Sequence, residues 1–509
     1  MTELTAILDT KLTKKLPILV PQSALHQDVQ QYIVELEKSV YTGDIEVSYS
    51  SRLAVATDNS IYQQLPQAVL HPKSTQDLST ITTVANAWPK VTFSARGGGT
   101  GTNGQSLTPG IVVDTSRYMN KILAHNIEEG WVKVQSGVIK DALNDFLRPY
   151  GYFFSPDLST SNRATVGGMI STDASGQGSL VYGKTSDHVL ELTSVLANGD
   201  VIDTKPMQMK EAKLRAQNND SLGIILQQIM QTCVQKREQI IAKFPRLNRF
   251  LTGYDLEHVY DEDEQLIDVS RLITGAEGSL AFVSEAKLNI TRIPKYTALV
   301  NVKYDLFESA LRHAPSMIAA QATSVETVDS TVLNMARADI IWHSVSDLIT
   351  DVENKIMLGL NMVEYNSDDQ QEIEAKIAML SNRLQRAAEQ GTDGVIGFQV
   401  TYERAEINKI YAMRKKSVGL LAKIKGIRKP IAFAEDTAVP PEHLADFAME
   451  FRDLLDRHGL KYGMFGHVDA GVLHVRPALD LCDIEQEKLV NQISDQVVAL
   501  VAKYGGLMW

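Results

Sequence analysis

The stretch RGGGTGTNG, residues 96–104, offers bare main chain where most loops offer side chains. Successive glycine N–H groups can face one anion, as in an anion-binding nest. Its last six residues fit GxGxxG, the dinucleotide fingerprint in which amides at the start of a helix meet a pyrophosphate. That fingerprint needs a strand before it and a helix after it. VTFSA (91–95) reads as a strand, but Pro109 and Gly110 break any following helix, and IVVD reads as a second strand. A Rossmann assignment fails, and two readings stay open: a strand, nest and strand, or a hairpin connection loosened by glycine.

Three other stretches carry chemistry. In YGMFGHVDAGVLHVRP (462–477), a two-residue turn at Ala470 and Gly471 would set His467 directly opposite His474, Cβ atoms roughly 5 Å apart, able to share one divalent metal. Imidazole suits zinc, manganese or iron, and a third ligand is required from elsewhere. The alternative is a chance pair of strand histidines. YAMRKKSVGLLAKIKGIRK (411–429) is a basic island in which Arg414 could hold a small carboxylic acid by its planar fork, or merely belong to a solvated helix face. Glu435 and Asp436 in FAEDTAVPPEHL form an acid pair expected to face water.

The elements that must position these groups are legible in the pattern. Residues 1–65 read as a helical lead-in, with VQQYIVELEKSV at helical spacing. From Val69 come a short strand, a helix capped near Ser74 or Thr75, the strands around the glycine loop, WVKVQSGV as a strand and KDALNDFLRPYG as a helix. STSNRATVGGMISTDASGQG, from Ser159, has side chains small enough for backbone to lie against a planar ring, or for the loop to pack closely on its own sheet. ELTSVLANGDVIDT reads as a hairpin with an Asn-Gly turn. A helical insertion (206–245) precedes TGAEGS, and from Ala298 strands interleaved with helices predict an α+β unit with an antiparallel sheet.

Composition narrows the function. The 509 residues are 44% hydrophobic and 22% charged, an ordinary globular balance. A net charge of -12 speaks against a nucleic-acid or anionic-membrane surface. No run is long enough to span a bilayer and no signal peptide is visible, so cytoplasm is the expected compartment. Cys233 and Cys482 are the only cysteines, too few for four-thiolate ligation of an iron–sulfur cluster.

Taken in order and spacing, RGGGTGTNG, STSNRATVGGMISTDASGQG, TGAEGS, EDTAVPPEHL and GHVDAGVLH resemble the FAD-dependent D-2-hydroxy-acid dehydrogenases of the vanillyl-alcohol-oxidase (PCMH-type FAD-binding) group. RLAVATDNSIYQ resembles the large bacterial branch that fuses this flavoprotein to an iron–sulfur half. The resemblance implies an α+β fold: the lead-in, a two-subdomain FAD-binding domain over 66–296, and an α+β cap with an antiparallel sheet over 297–509. It implies that Arg96, Gly97, Gly98, Gly99, Thr100, Gly101, Thr102, Asn103 and Gly104 face the FAD diphosphate. Pro156, Ser161, Gly167, Gly168, Thr172, Ala174 and Gly176 would line the ring and ribityl chain, while Glu277 and Gly278 close the site. Thr100 stands near where relatives with covalent flavin carry a histidine, so FAD is expected to be non-covalent.

By the same resemblance Arg414 and Arg476 bind substrate, and His467 and His474 hold a divalent metal. Ala434 departs from a second substrate-binding lysine. The implied activity is oxidation of a D-2-hydroxy acid, D-2-hydroxyglutarate first and D-lactate or glycolate next, with hydride going to flavin and electrons to a non-nicotinamide acceptor. A non-catalytic flavin-binding electron-transfer subunit is the alternative. The chain ends at YGGLMW, where the family continues into GEHG, whose glutamate completes the metal site and whose histidine accepts the proton. A catalytically incomplete half, with the iron–sulfur cluster on a partner domain, is therefore expected.

Overall fold

The computed structural model describes residues 25–247, 253–423 and 425–508. Residues 1–24 of the expected lead-in, and Trp509, lie outside them. Three sheets organise the chain.

The first sheet contains β1 (Asp44–Glu46), β2 (Ala68–His71), β3 (Phe93–Arg96) and β4 (Ile111–Asp114), in the order β1-β2-β4-β3. β2 and β3 both run parallel to β4. The glycine loop therefore crosses from one strand to a parallel neighbour, and the hairpin reading of 96–110 is wrong, because a hairpin would make β3 and β4 antiparallel. The helix Thr75–Ala85 covers this sheet, its first turn capped by Ser74, whose Oγ accepts from Asp77 N–H at 3.1 Å. Its Leu78 and Ile81 join Leu70, Ile111 and Val113 in one core, together with Tyr32 and Leu36 of the helix Gln27–Lys38. β1, from within the expected lead-in, pairs with β2.

The second sheet is antiparallel throughout: β5 (Ile122–Asn126), β6 (Trp131–Gln135), β7 (Val189–Leu196), β8 (Val201–Thr204) and β9 (Ala281–Asn289), in the order β5-β6-β9-β7-β8. The Asn-Gly turn is present between β7 and β8, with Gly199 at φ +92°. Between β6 and β7 the chain forms the helix Lys140–Leu147 and then the glycine-rich segment, which contains the short helices Val166–Ser171 and Ser179–Tyr182. Thr165 caps the first of these, its Oγ1 accepting from Gly168 N–H at 3.2 Å.

The third sheet has eight antiparallel strands: β10 (Tyr296–Tyr304), β11 (Ser324–Asp329), β12 (Gly359–Ser367), β13 (Val395–Thr401), β14 (Thr437–Ala438), β15 (Met464–His467), β16 (Val472–Val475) and β17 (Leu507–Met508). Their order is β13-β10-β12-β11-β15-β16-β14-β17. The helices Phe307–Ala319, Gln370–Gln390, Leu444–Arg457 and Ile484–Lys503 contribute to the large core on this sheet. β11, β15 and β16 are neighbours, which brings residues far apart in sequence onto one patch.

Candidate functional site

The glycine loop lies flat on the segment that precedes the helix Val166–Ser171. A Cβ added at Gly97 would sit 2.1 Å from Thr165 Oγ1, and one at Gly98 would sit 2.1 Å from the carbonyl oxygen of Arg163. Gly99 adopts φ +61°, which side chains disfavour. Among the described residues, none of the backbone N–H groups from Gly97 to Thr102 donates to a protein acceptor, whereas Asn103 N–H reaches Gln105 Oε1 at 3.2 Å. Six consecutive main-chain donors without protein partners are what the nest reading requires.

The first five of these residues, Gly97 to Gly101, border a cleft of about 1050 Å³, its open mouth included, walled also by Thr165, Gly167, Gly168, Thr172, Ala174, Glu277 and Gly278. Glu277 folds over it at φ +51°, its N–H on Ser171 O (2.8 Å) and its carboxylate accepting from Gln105 Nε2 (3.2 Å). Thr102, Asn103, Gly104, Pro156, Ser161 and Gly176 do not line this cleft. Gly176 instead packs on the Asp157 carbonyl, and Ser161 N–H bonds Leu158 O at 3.3 Å. Arg96 borders the cleft, but its guanidinium is tied to Thr57 O (2.8 Å), Val55 O (3.3 Å) and Ser106 Oγ (3.2 Å), so it anchors the loop. Ser106, Thr115, Ser136 and Thr160 add hydroxyls to the wall that the motif reading did not single out. Small residues, hydroxyls and unpaired amides fit a flavin dinucleotide.

A second cluster stands on the third sheet. His467 is paired in register with Val472 and His474 with Phe465, so the histidines are diagonal neighbours and not directly opposed. The turn is longer than expected: Val468–Ala470 form a 3-10 turn, with Gly471 left-handed at φ +72°. The rings still meet, with centroids 5.2 Å apart at 89°. Each imidazole leans on a carboxylate through Nδ1, His467 on Glu326 Oε1 at 2.5 Å and His474 on Asp436. Nδ1 partners of this kind orient metal-binding histidines, and Glu435, Asp436 and His474 bring possible ligand atoms within 4.8 Å of one another. The donor set of imidazoles and carboxylates suits a divalent metal.

Arg414, at the end of the helix Arg404–Lys415, is buried with only 7% of its surface exposed. That excludes the solvated-face reading for this residue. Its guanidinium stacks on Phe465 (4.7 Å to the ring centroid), and Nη2 lies 2.8 Å from Glu326 Oε2. The approach is poorly aligned, so Nε and Nη2 have no satisfied hydrogen bond. Buried donors of that kind are rare without an acceptor to meet. Burial alone would raise the carboxyl of Glu326, but His467 and Arg414 outweigh it and hold it at about 2.

The acid pair does not face water. Glu435 receives Nε and Nη2 of Arg476 at 2.6 and 2.9 Å, which commits that arginine's fork inside the protein, and burial with the nearby Asp436 charge raises the Glu435 carboxyl. Glu326 was not expected from sequence. In SVETVDS it reads as one more polar residue of a strand, with nothing local to mark its partners.

The FAD-binding face and the third sheet are tied together. Gln177 Nε2 donates to Glu364 Oε2 at 2.8 Å, Tyr411 hydroxyl to the same oxygen at 2.5 Å, and Lys415 pairs with Asp157 at 3.0 Å. No described helix is long and apolar enough to cross a membrane.

Residues 66–205 match the FAD binding domain family, and residues 293–509 match the C-terminal domain of FAD linked oxidases. The chain is 60% identical over 485 residues to D-2-hydroxyglutarate dehydrogenase of Escherichia coli K12, covering 95% of this chain and 48% of that protein. It is 49% identical to the enzyme of that name from Pseudomonas putida, over 94% of this chain and 47% of that one. The chain thus spans about half the length of these curated relatives. Among solved structures, alkyldihydroxyacetonephosphate synthase aligns with TM-score 0.66 at 14% identity, over 96% of this chain and 81% of that one. p-Cresol methylhydroxylase aligns with TM-score 0.63 at 12% identity, over 95% and 90%. At such identities these two share the fold, and they bear out the PCMH-type architecture expected from the motifs.

Proposed function

Because the chain belongs to the FAD-linked oxidases, we propose that it forms the flavin and substrate half of an enzyme that oxidises a D-2-hydroxy acid, D-2-hydroxyglutarate first, to the 2-oxo acid. The observation that carries this reading is Arg414: a buried guanidinium with two unsatisfied donors, beside a pair of histidines. A planar carboxylate is the acceptor such a fork takes best.

FAD, held without a covalent bond, supplies the acceptor for the hydride from C2. Gly97–Gly101 would hold its diphosphate through main-chain N–H groups, and Gly167, Gly168, Thr172 and Ala174 would let it lie close to the backbone. A divalent metal, when bound, polarises the C2 hydroxyl and eases loss of its proton. His467 and His474 would hold it through Nε2, their Nδ1 atoms being oriented by Glu326 and Asp436. Arg414 fixes the substrate carboxylate and with it the direction of the C2–H bond. Electrons leave for an acceptor other than a nicotinamide. Any four-thiolate iron–sulfur cluster on that route would sit outside these 509 residues, on an extension or on another polypeptide, since the sequence holds two cysteines.

The test is anaerobic addition of D-2-hydroxyglutarate, and in parallel D-lactate and glycolate, to the flavin-loaded protein in the longer form that its curated relatives take. Loss of the oxidised flavin absorbance with D-2-hydroxyglutarate is the expected result. No loss with any 2-hydroxy acid would reject the reaction class, and would favour a flavin-binding electron-transfer subunit.

A further inference from the structure

Glu326 touches both halves of the proposed site. It sits in β11, inside the eight-stranded sheet, 1% exposed, with its backbone in register with His467 on one side and Met362 on the other. One carboxylate oxygen takes Nδ1 of His467 at 2.5 Å, and the other lies 2.8 Å from Nη2 of Arg414. No other described carboxylate contacts both groups.

If this carboxylate only neutralised a buried arginine, the expected arrangement would be a two-toothed fork, like that of Arg476 on Glu435. Arg414 is instead approached at one edge, with Nε and Nη2 unsatisfied as donors. The guanidinium is held by charge from one side and by Phe465 beneath it, and its hydrogen-bonding capacity is kept for another acceptor. The same carboxylate takes the Nδ1 proton of His467, which sets the tautomer whose Nε2 can bind a metal. His474 has its own partner in Asp436, so Glu326 serves one histidine and the arginine.

Resting on the function proposed above, we infer that Glu326 is the positioning residue that locks the His467 imidazole and the Arg414 guanidinium to each other, so that both act on one bound 2-hydroxy acid. It touches neither substrate nor metal. Its effect passes through the two side chains it holds.

The test uses the FAD-loaded protein, in the longer form that its curated relatives take, with two probes: zinc, measured by competition with a chromophoric chelator, and 2-oxoglutarate, measured by its perturbation of the flavin spectrum. Glu326→Gln keeps the volume and one acceptor but removes the charge. Glu326→Asp keeps the charge but withdraws it by one methylene. Zinc affinity is expected to fall about 10- to 100-fold in either variant, and 2-oxoglutarate affinity at least about tenfold. Should Glu326→Asp fail to fold, the isosteric Glu326→Gln carries the experiment. Asp329→Asn, which alters another fully buried carboxylate of the same strand, is expected to change neither affinity by more than about twofold.

Action through His467 is read from a double-mutant cycle: in a His467→Asn background, Glu326→Gln is expected to cause no further loss of zinc. Zinc affinity of Glu326→Gln within about threefold of the parent, or an undiminished loss in the His467→Asn background, would overturn this assignment while leaving the proposed function standing. A parent chain that takes neither zinc nor 2-oxoglutarate would overturn both.

Discussion

Replacing Gly98 with alanine tests the amide cradle at its tightest point. The new Cβ would lie 2.1 Å from the Arg163 carbonyl oxygen, and side-chain Cβ atoms essentially never come within 3.0 Å of such a neighbour, so loop and wall must part by about 0.9 Å. The neighbour is backbone and cannot rotate away. An N–H···O bond of about 2.9 Å lengthened by that amount falls outside hydrogen-bonding range. Hydrogen bonds to a charged group contribute about 1.5–3 kcal/mol each. Loss of two adjacent amides at the diphosphate therefore weakens FAD binding by about 3–6 kcal/mol, or roughly 10²- to 10⁴-fold. Titration of the deflavinated chain with FAD, followed by flavin fluorescence, reads this directly. Gly419→Ala, at a helical glycine where a Cβ meets nothing within 4 Å, is the control and should leave FAD affinity unchanged. A Gly98→Ala chain that binds FAD within about threefold of the parent would refute the cradle.

Three further outcomes are expected. Arg414→Lys keeps the charge but loses the fork, and 2-oxoglutarate should bind about 10- to 100-fold more weakly while the flavin spectrum is unchanged. Dialysis against a chelator should remove a divalent metal detectable by mass spectrometry in the parent, and His474→Ala should lose that metal without losing FAD. Burial raises the carboxyl of Asp329 to about 6 from 3.8, so the folded chain holds more protons between those values and its unfolding free energy falls as pH rises through that window. Asp329→Asn should flatten that slope, which amounts to at most about 3 kcal/mol, in denaturant titrations between pH 4 and pH 6.

Much of the fold was legible because the signals were local. Ser74 and the apolar spacing of the following helix, the Asn-Gly turn before Val201, and the alternating strands of the third sheet all follow from near neighbours in sequence. Strand direction does not. β3 and β4 flank a glycine loop that looks like a hairpin, yet they run parallel, with β4 set between β2 and β3. The histidine pair was legible as a pair but not in register, since a turn of four residues, 468–471, in place of two moves His474 opposite Phe465.

Glu326 was invisible for a different reason. It lies 141 residues from His467, and nothing in SVETVDS distinguishes a buried hub from a solvent-facing glutamate. The acid pair at Glu435 and Asp436 misled in the same way, because its partners Arg476 and His474 are reached only across strands that the sheet brings together.

The most direct measurement of the central claim is the absorption spectrum of the purified chain after addition of excess FAD and removal of unbound flavin. Main-chain donors at Gly97–Gly101 that cradle a diphosphate predict a retained flavin envelope, released on denaturation because no covalent bond holds it. A colourless protein after that treatment would contradict the account at its foundation.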